Sequence, residues 1–322
     1  MLGDAGRSPT ENMFLRCVPS NWPSIAVAIA VALTQCVAPA EDRVEAIRQT
    51  GAFVRVDDRN RVVEVNAAFS DFENNDMRLL ASHTKLRELN LNRQPIEASG
   101  VVEISNLRSL QRLTLGRTEI TDSCLPTIAT LTELQSLHLH NTRITDQKLD
   151  ELSSLQKLKE LSLSDTNVTN EGVASIANLE SLEELYLENL RVSDEGIGKL
   201  KGLRKLRILV IIGTDVTDKG ILTVAGFPKL QMLFLDNTGI TNAGVSELCK
   251  LRHLRVLYLD NTNIGDAALV PLAGVASLRS LSLTGTRVTD VGLNAFKQKR
   301  PDVAVVFSDS GGEPSVATEA AN

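Results

Sequence analysis

LKELSLSDTNVTNEG at residues 158–172 and LEELYLENLRVSDEG at residues 182–196 begin 24 residues apart and share one skeleton. That frame steps ten times, with no insertion or deletion, from residue 62 to residue 302. Leucines open the steps at Leu86, Leu110, Leu134, Leu158, Leu182, Leu206, Leu230, Leu254 and Leu278. Apolar residues follow three and five positions on, as in Leu110-Leu113-Leu115, and a threonine usually stands three further, giving L-x-x-L-x-L-x-x-T-x-[IV]. A fixed period of this size means that each unit buries its apolar face against its neighbours, so the chain is a stacked array.

Side chains alternate across a strand, so the consensus leucines point inward and the residues between them point outward. Thr-Asp or a close variant follows, at Thr121-Asp122, Thr145-Asp146, Ser193-Asp194, Thr217-Asp218 and Thr289-Asp290, and is expected to cap a short helix by accepting bonds from its free amides. Gly172, Gly196, Gly220, Gly244 and Gly292 recur two positions beyond the aspartate site, and aliphatics follow at helical spacing, as in Ile176-Leu179 and Leu200-Leu203. Thr118, Thr142, Thr166, Thr214, Thr238, Thr262 and Thr286 place a hydroxyl where the chain turns off the strand, able to satisfy backbone groups there. Leu190 breaks that series. The fold class expected is α/β: a right-handed solenoid, or horseshoe, with a parallel sheet on the concave face and short helices on the convex face.

The flanks divide the rest. Residues 1–40 read as an export leader, with Arg16 ahead of an apolar stretch over residues 22–38 and Ala38-Pro39-Ala40 as a cleavage site. Cys36 in Leu33-Thr34-Gln35-Cys36 offers a lipid anchor as an alternative, an uncleaved membrane anchor is another, and Met13 gives a more ordinary start. Residues 41–61 hold a short amphipathic helix stopped by Gly51 and the first strand of a hairpin, expected to cap the array. The solenoid proper covers residues 62–307, ending in an edge strand over residues 303–307, and residues 308–322 read as a disordered tail. Cys124 and Cys249 lie five rungs apart, too far for a disulfide at about 4.8 Å per rung.

The I-T-D-x-G-L type of repeat, as in Val288-Thr289-Asp290-Val291-Gly292-Leu293, resembles that of exported bacterial leucine-rich-repeat proteins. It resembles more distantly the arrays of F-box substrate receptors and of proteins labelled adenylate cyclase regulators. The likeness covers about residues 52–307 and implies the fold rather than an activity, because its motifs are scaffold residues. No F-box-like helical module stands ahead of the repeats, so a ubiquitin-ligase role is not implied.

Composition narrows the function. The chain is 43% hydrophobic but 3% aromatic, so branched aliphatics must fill thin layers. Net charge is −6 with signs interspersed and no long basic run, which argues against nucleic acid as a partner. No phosphate-cradling glycine loop, nucleophile elbow, metalloprotease helix or paired-CxxC zinc site is present, so neither catalysis nor a cofactor is expected. His138 and His140 share the concave face about 7 Å apart, but their lateral neighbours Thr114, Gly116, Ser162 and Ser164 offer no carboxylate or thiol. Polar surface rather than a metal site is expected there.

The outward positions carry the functional signal. From Glu88 to Ser164 they are all polar or glycine. In the next four rungs they include Tyr186, Ile208, Val210, Ile212, Met232, Phe234, Val256 and Tyr258, with the acids Glu184, Glu188, Asp236 and Asp260 around them; Ser280, Ser282 and Thr284 then return to polar. These twelve residues are the expected partner site, an exposed apolar patch with an acidic rim that would suit an apolar knob beside basic groups. The function expected is a non-catalytic scaffold, exported to the periplasm, cell envelope or medium, that binds a protein or peptide. The alternative is a structural, self-associating component of the envelope.

Overall fold

A computed structural model describes residues 40–308. Residues 1–39 of the stretch expected to be a leader, Cys36 among them, and the tail beyond Ser308 lie outside the described residues. Residues up to 45 form a separate unit from the one that begins at Ala46 and holds the sheet.

The helix Ala40–Gln49 ends as the sequence predicts: Gly51 N–H donates to Arg48 O at 2.9 Å and Gly51 takes φ +82°, the left-handed geometry glycine allows. Strands β1 (Phe53–Val56) and β2 (Val62–Asn66) form the antiparallel hairpin. From β2 onward every neighbour pair is parallel and in register. The strands are β3 Glu88–Asn90, β4 Arg112–Thr114, β5 Ser136–His138, β6 Glu160–Ser162, β7 Glu184–Tyr186, β8 Ile208–Val210, β9 Met232–Phe234, β10 Val256–Tyr258, β11 Ser280–Ser282 and β12 Ala304–Val306. All twelve lie in chain order in one open sheet. Leu113, Leu137, Leu161, Leu185, Leu209, Leu233, Leu257 and Leu281, one per rung, are 0% exposed, so the 24-residue step does set the inward column. Among the described residues no helix is long and apolar enough to cross a membrane.

The turn-off threonines act as expected, each hydroxyl donating to the carbonyl three residues back, for example Thr118 to Leu115 and Thr238 to Leu235. Leu190 fills its place as a buried apolar residue. The residue before each of these positions takes positive φ in rung after rung, which explains why Asn141, Asp165, Asn189, Gly213, Asn237, Asn261 and Gly285 stand there.

The Thr-Asp motif does more than cap. Threonine caps exist but are long, as in Thr217 Oγ1 accepting from Lys219 N at 3.3 Å. The aspartates reach the following rung instead. Asp194 accepts from Thr217 N at 2.8 Å, from Thr217 Oγ1 at 2.7 Å and from Gly220 N at 2.8 Å. Asp146 does the same for Thr169 and Gly172. Asp218 and Asp266 bind Thr241 and Thr289 likewise. These carboxylates staple neighbouring rungs together. They also account for the recurrent glycine: a Cβ at Gly220 would lie 2.6 Å from Asp194 Oδ1, and one at Gly292 would lie 2.2 Å from Asp266 Oδ1.

At the far end Arg300 is buried. It donates to Val275 O at 2.7 Å and Leu278 O at 2.9 Å and pairs with Asp302, tying the last turn to the rung before it.

Candidate partner-binding face

Strand pairing brings Tyr186, Val210, Phe234 and Tyr258 side by side in one row across β7 to β10, bounded by Ser162 on one flank and Ser282 on the other. A second row runs Glu184, Ile208, Met232, Val256 on the same strands. Beyond the strand ends Glu188, Ile212, Asp236 and Asp260 continue the face.

The patch is better covered than the sequence suggests. Val210 is 4% exposed, and Tyr186, Ile208, Ile212, Met232, Phe234, Val256 and Tyr258 are half-buried. Strands about 4.8 Å apart make neighbouring branched and aromatic side chains shade one another. Phe234 and Tyr258 lean together with ring centroids 4.9 Å apart at 60°, a tilted aromatic contact. Tyr186 donates its hydroxyl to Glu184 Oε2 at 2.9 Å; burial and that carboxylate push its phenol well above the usual range.

The acidic rim is smaller than expected. Asp236 is buried and accepts the Asp260 N–H at 2.7 Å; burial, with Asp260 and Glu188 nearby, raises its carboxyl above the usual 3.8. Asp260 in turn accepts from Thr284 N and Ser282 Oγ, both at 2.7 Å. Glu184 is engaged by Tyr186, which leaves Glu188 as the rim acid whose carboxylate has no hydrogen bond or ion pair among the described residues. Alternation places these residues correctly, but it gives no view of which backbone amides will claim a carboxylate 24 residues earlier.

The two histidines do meet a carboxylate, which the lateral-neighbour reading missed because it lies on the diagonal. His138 Nε2 is 2.9 Å from Glu160 Oε1, and the His138 and His140 rings stand edge to face at 6.3 Å. The His138 hydrogen bond pulls the Glu160 carboxyl below 4.5, and burial with His138 and Arg117 lowers His140 below 6.5. The His140 ring covers Gly116, where a Cβ would come within 2.1 Å of it. Among the described residues no group of three or more His, Cys, Asp or Glu could hold a metal ion. Cys124 and Cys249 are free thiols, raised by burial.

The chain belongs to the leucine-rich-repeat family: a family model described as a leucine-rich repeat region matches residues 59–219, half of the 322, and a second leucine-rich-repeat model matches residues 250–273 and 276–297. No curated protein matches the sequence. Among solved structures, an internalin from Listeria monocytogenes aligns with TM-score 0.59 at 25% identity, covering 74% of this chain and 71% of that one. The leucine-rich-repeat ectodomain of the Arabidopsis receptor kinase HAESA, solved with a peptide hormone, aligns with TM-score 0.55 at 18% identity, covering 73% of this chain and 40% of that one.

Proposed function

We propose that the chain is an exported, non-catalytic scaffold that holds a protein or peptide on the concave face of β7 to β10. The observation that carries this reading is the contiguous row Tyr186, Val210, Phe234 and Tyr258, confined to four rungs between the polar strands β3 to β6 on one side and β11 on the other. Strand propensity explains aromatic and branched residues in strands but not their confinement to neighbouring rungs. The fold is consistent with the role, since the HAESA ectodomain holds its peptide hormone on a leucine-rich-repeat array. The apolar stretch of residues 22–38 supports export.

The test pairs capture with stability. Phe234→Ala with Tyr258→Ala should lose whatever the wild type retains from an extract while its thermal unfolding stays close to wild type. Loss of both rings would cost several kcal/mol of binding, since single anchor truncations often cost about 2 kcal/mol or more. Unchanged capture would discard the face as the site, and a change in oligomeric state instead would assign it to self-association. Mass spectrometry of the native protein should find a mature start near Glu41; a retained Met1 or Met13 peptide in a soluble cytoplasmic fraction would remove the export reading.

A further inference from the structure

The fold gathers into one strip cations that the sequence spreads over three successive repeats. Residues just before each strand, and in the turn leading into it, stack as columns along one border of the sheet. Gln231 N donates to Arg207 O and Arg255 N donates to Gln231 O, each at 2.8 Å, and Arg207 Nη2 reaches Gln231 Oε1 at 3.4 Å. Ahead of β8, β9 and β10, positions 204, 205, 207, 228, 229, 231, 252, 253 and 255 hold Arg204, Lys205, Arg207, Lys229, Arg252 and Arg255, and no acid. All six are exposed. Arg207 shares Glu183 with Lys159, at 3.5 and 3.4 Å, while the other five make no ion pair among the described residues.

This strip borders three of the four strands that carry the apolar face, with Arg207 preceding Ile208 and Arg255 preceding Val256, while the same positions ahead of β7 hold Glu180 and Glu183. Outside those rungs Lys157 is engaged by Glu133 and Arg279 by Asp302, whereas Lys85 and Arg87, ahead of the polar strand β3, make no ion pair among the described residues. What sets β8 to β10 apart is therefore free cations beside apolar rows. Inside these rungs the acids of the face are withdrawn, Asp236 and Asp260 by backbone amides. The uncommitted charge beside the apolar rows is therefore mainly positive, in a chain whose net charge is −6.

We infer that the occupant of this face is an acidic peptide segment, with Asp or Glu side chains over the strip and an apolar or aromatic side chain on the Phe234–Tyr258 pair. The inference rests on the reading of β7 to β10 as the binding face and adds the sign of the partner's charge. A peptide fits better than single-stranded nucleic acid, which needs open ring faces for base stacking. Here the two rings are half-buried against each other, and the row next to the cations is aliphatic. Charges at the border of an apolar contact chiefly set association rate, selectivity and salt dependence.

The experiment selects short random peptides on the full-length chain and measures labelled winners by fluorescence anisotropy. Winners should carry Asp or Glu within a few residues of an aromatic or branched apolar residue. The quadruple variant Lys205→Glu, Lys229→Glu, Arg252→Glu, Arg255→Glu should weaken them by roughly tenfold or more, and added salt should weaken them on the wild type. These side chains are exposed, so circular dichroism should be unchanged; the matching Gln variants should fall between. Winners rich in Lys or Arg, or indifferent to charge reversal, would overturn the inference while the face reading stands, provided Phe234→Ala with Tyr258→Ala still abolishes them. Winners that survive that double variant, or no winners at all, would remove the face reading too. Displacement of a winner by an oligonucleotide at equal strength would overturn the acidic-peptide inference. Displacement by a synthetic peptide of residues 308–322, which carries Asp309, Glu313 and Glu319 and no cation, would instead uphold the sign of charge and assign the occupant to this chain's own tail.

Discussion

Strands β3 to β6 and strands β7 to β10 share one inward layer and carry opposite outward faces. Leu161 and Leu209 are both 0% exposed at the same register, yet the residue beside one is Ser162 and beside the other Val210. The solenoid is therefore two independent codes read at alternate positions. Stability fixes one at every 24th residue, and the other is left free to be polar over one stretch and apolar over the next. What differs between the two regions has to be explained by something other than the need to fold.

The largest test of that separation lies in the shared layer. Leu161→Ala and Leu209→Ala should each cost about 2–5 kcal/mol by loss of buried surface and an incompletely filled cavity. Ser162→Ala, whose hydroxyl makes no hydrogen bond among the described residues, should be near neutral. Urea unfolding of the three variants checks this. A leucine that proves cheap in one region only would show that the two stretches do not share one cooperative core.

The next effect concerns the staples, which the two regions do not share equally. Gly220→Ala would place a Cβ 2.6 Å from Asp194 Oδ1 and 2.9 Å from Val216 Cγ1, disturbing three hydrogen bonds, and should cost about 1–3 kcal/mol. Gly198→Ala in the same stretch meets nothing within 4 Å inside the helix Asp194–Lys199 and should stabilise by about 0.5–1 kcal/mol. In the polar region Lys148 stands where the glycine would be, with φ 58°, and a 3-10 helix at Leu149–Ser154 replaces the α-helix. Asp122 there binds Thr145 alone of its staple partners. Lys148→Gly should relieve the left-handed strain and raise stability by up to about 1 kcal/mol. A drop in melting temperature for Lys148→Gly would mean that this rung is not strained.

How much of this was legible follows from where each hydrogen bond closes. The sheet, the hairpin and the inward leucines could be read because alternation and a fixed step are local or strictly periodic. The Asp194 staple could not, because its partners Thr217 and Gly220 lie in the next rung while a local helix cap offers itself two residues away. The recurrent glycine was the available signal, since nothing in a short helix demands glycine unless a neighbour occupies its Cβ. The apolar row was legible as composition, but its shading was not, and Asp236 and Asp260 counted as free charges until their backbone partners were known. The Lys205 and Lys229 column escaped for the opposite reason: residues 24 apart do not look like a basic cluster until the turns are stacked.

The smallest expected effect is also the one that separates the two regions by sign. In the polar rungs Glu160 is held below 4.5 by His138, so the stability it contributes is present above that value and is lost as pH falls through its lowered pKa. His140, held below 6.5 by burial and its cationic neighbours, adds a loss that begins as pH falls from 6.5. Asp236 in the apolar rungs runs the other way. Burial raises it above 3.8, so its ionised form is a cost at neutral pH that disappears as pH falls through the raised pKa. Asp236→Asn keeps the oxygen that accepts the Asp260 N–H and removes the charge. It should therefore stabilise by a few tenths of a kcal/mol at neutral pH, with the gain shrinking in acid. Glu160→Gln should instead flatten the acid limb. Unfolding of both variants across the acid range decides the matter. An Asp236→Asn variant that is destabilised equally at every pH would show that the Asp260 amide prefers the carboxylate, buried or not, and that the two regions do not titrate in opposite directions.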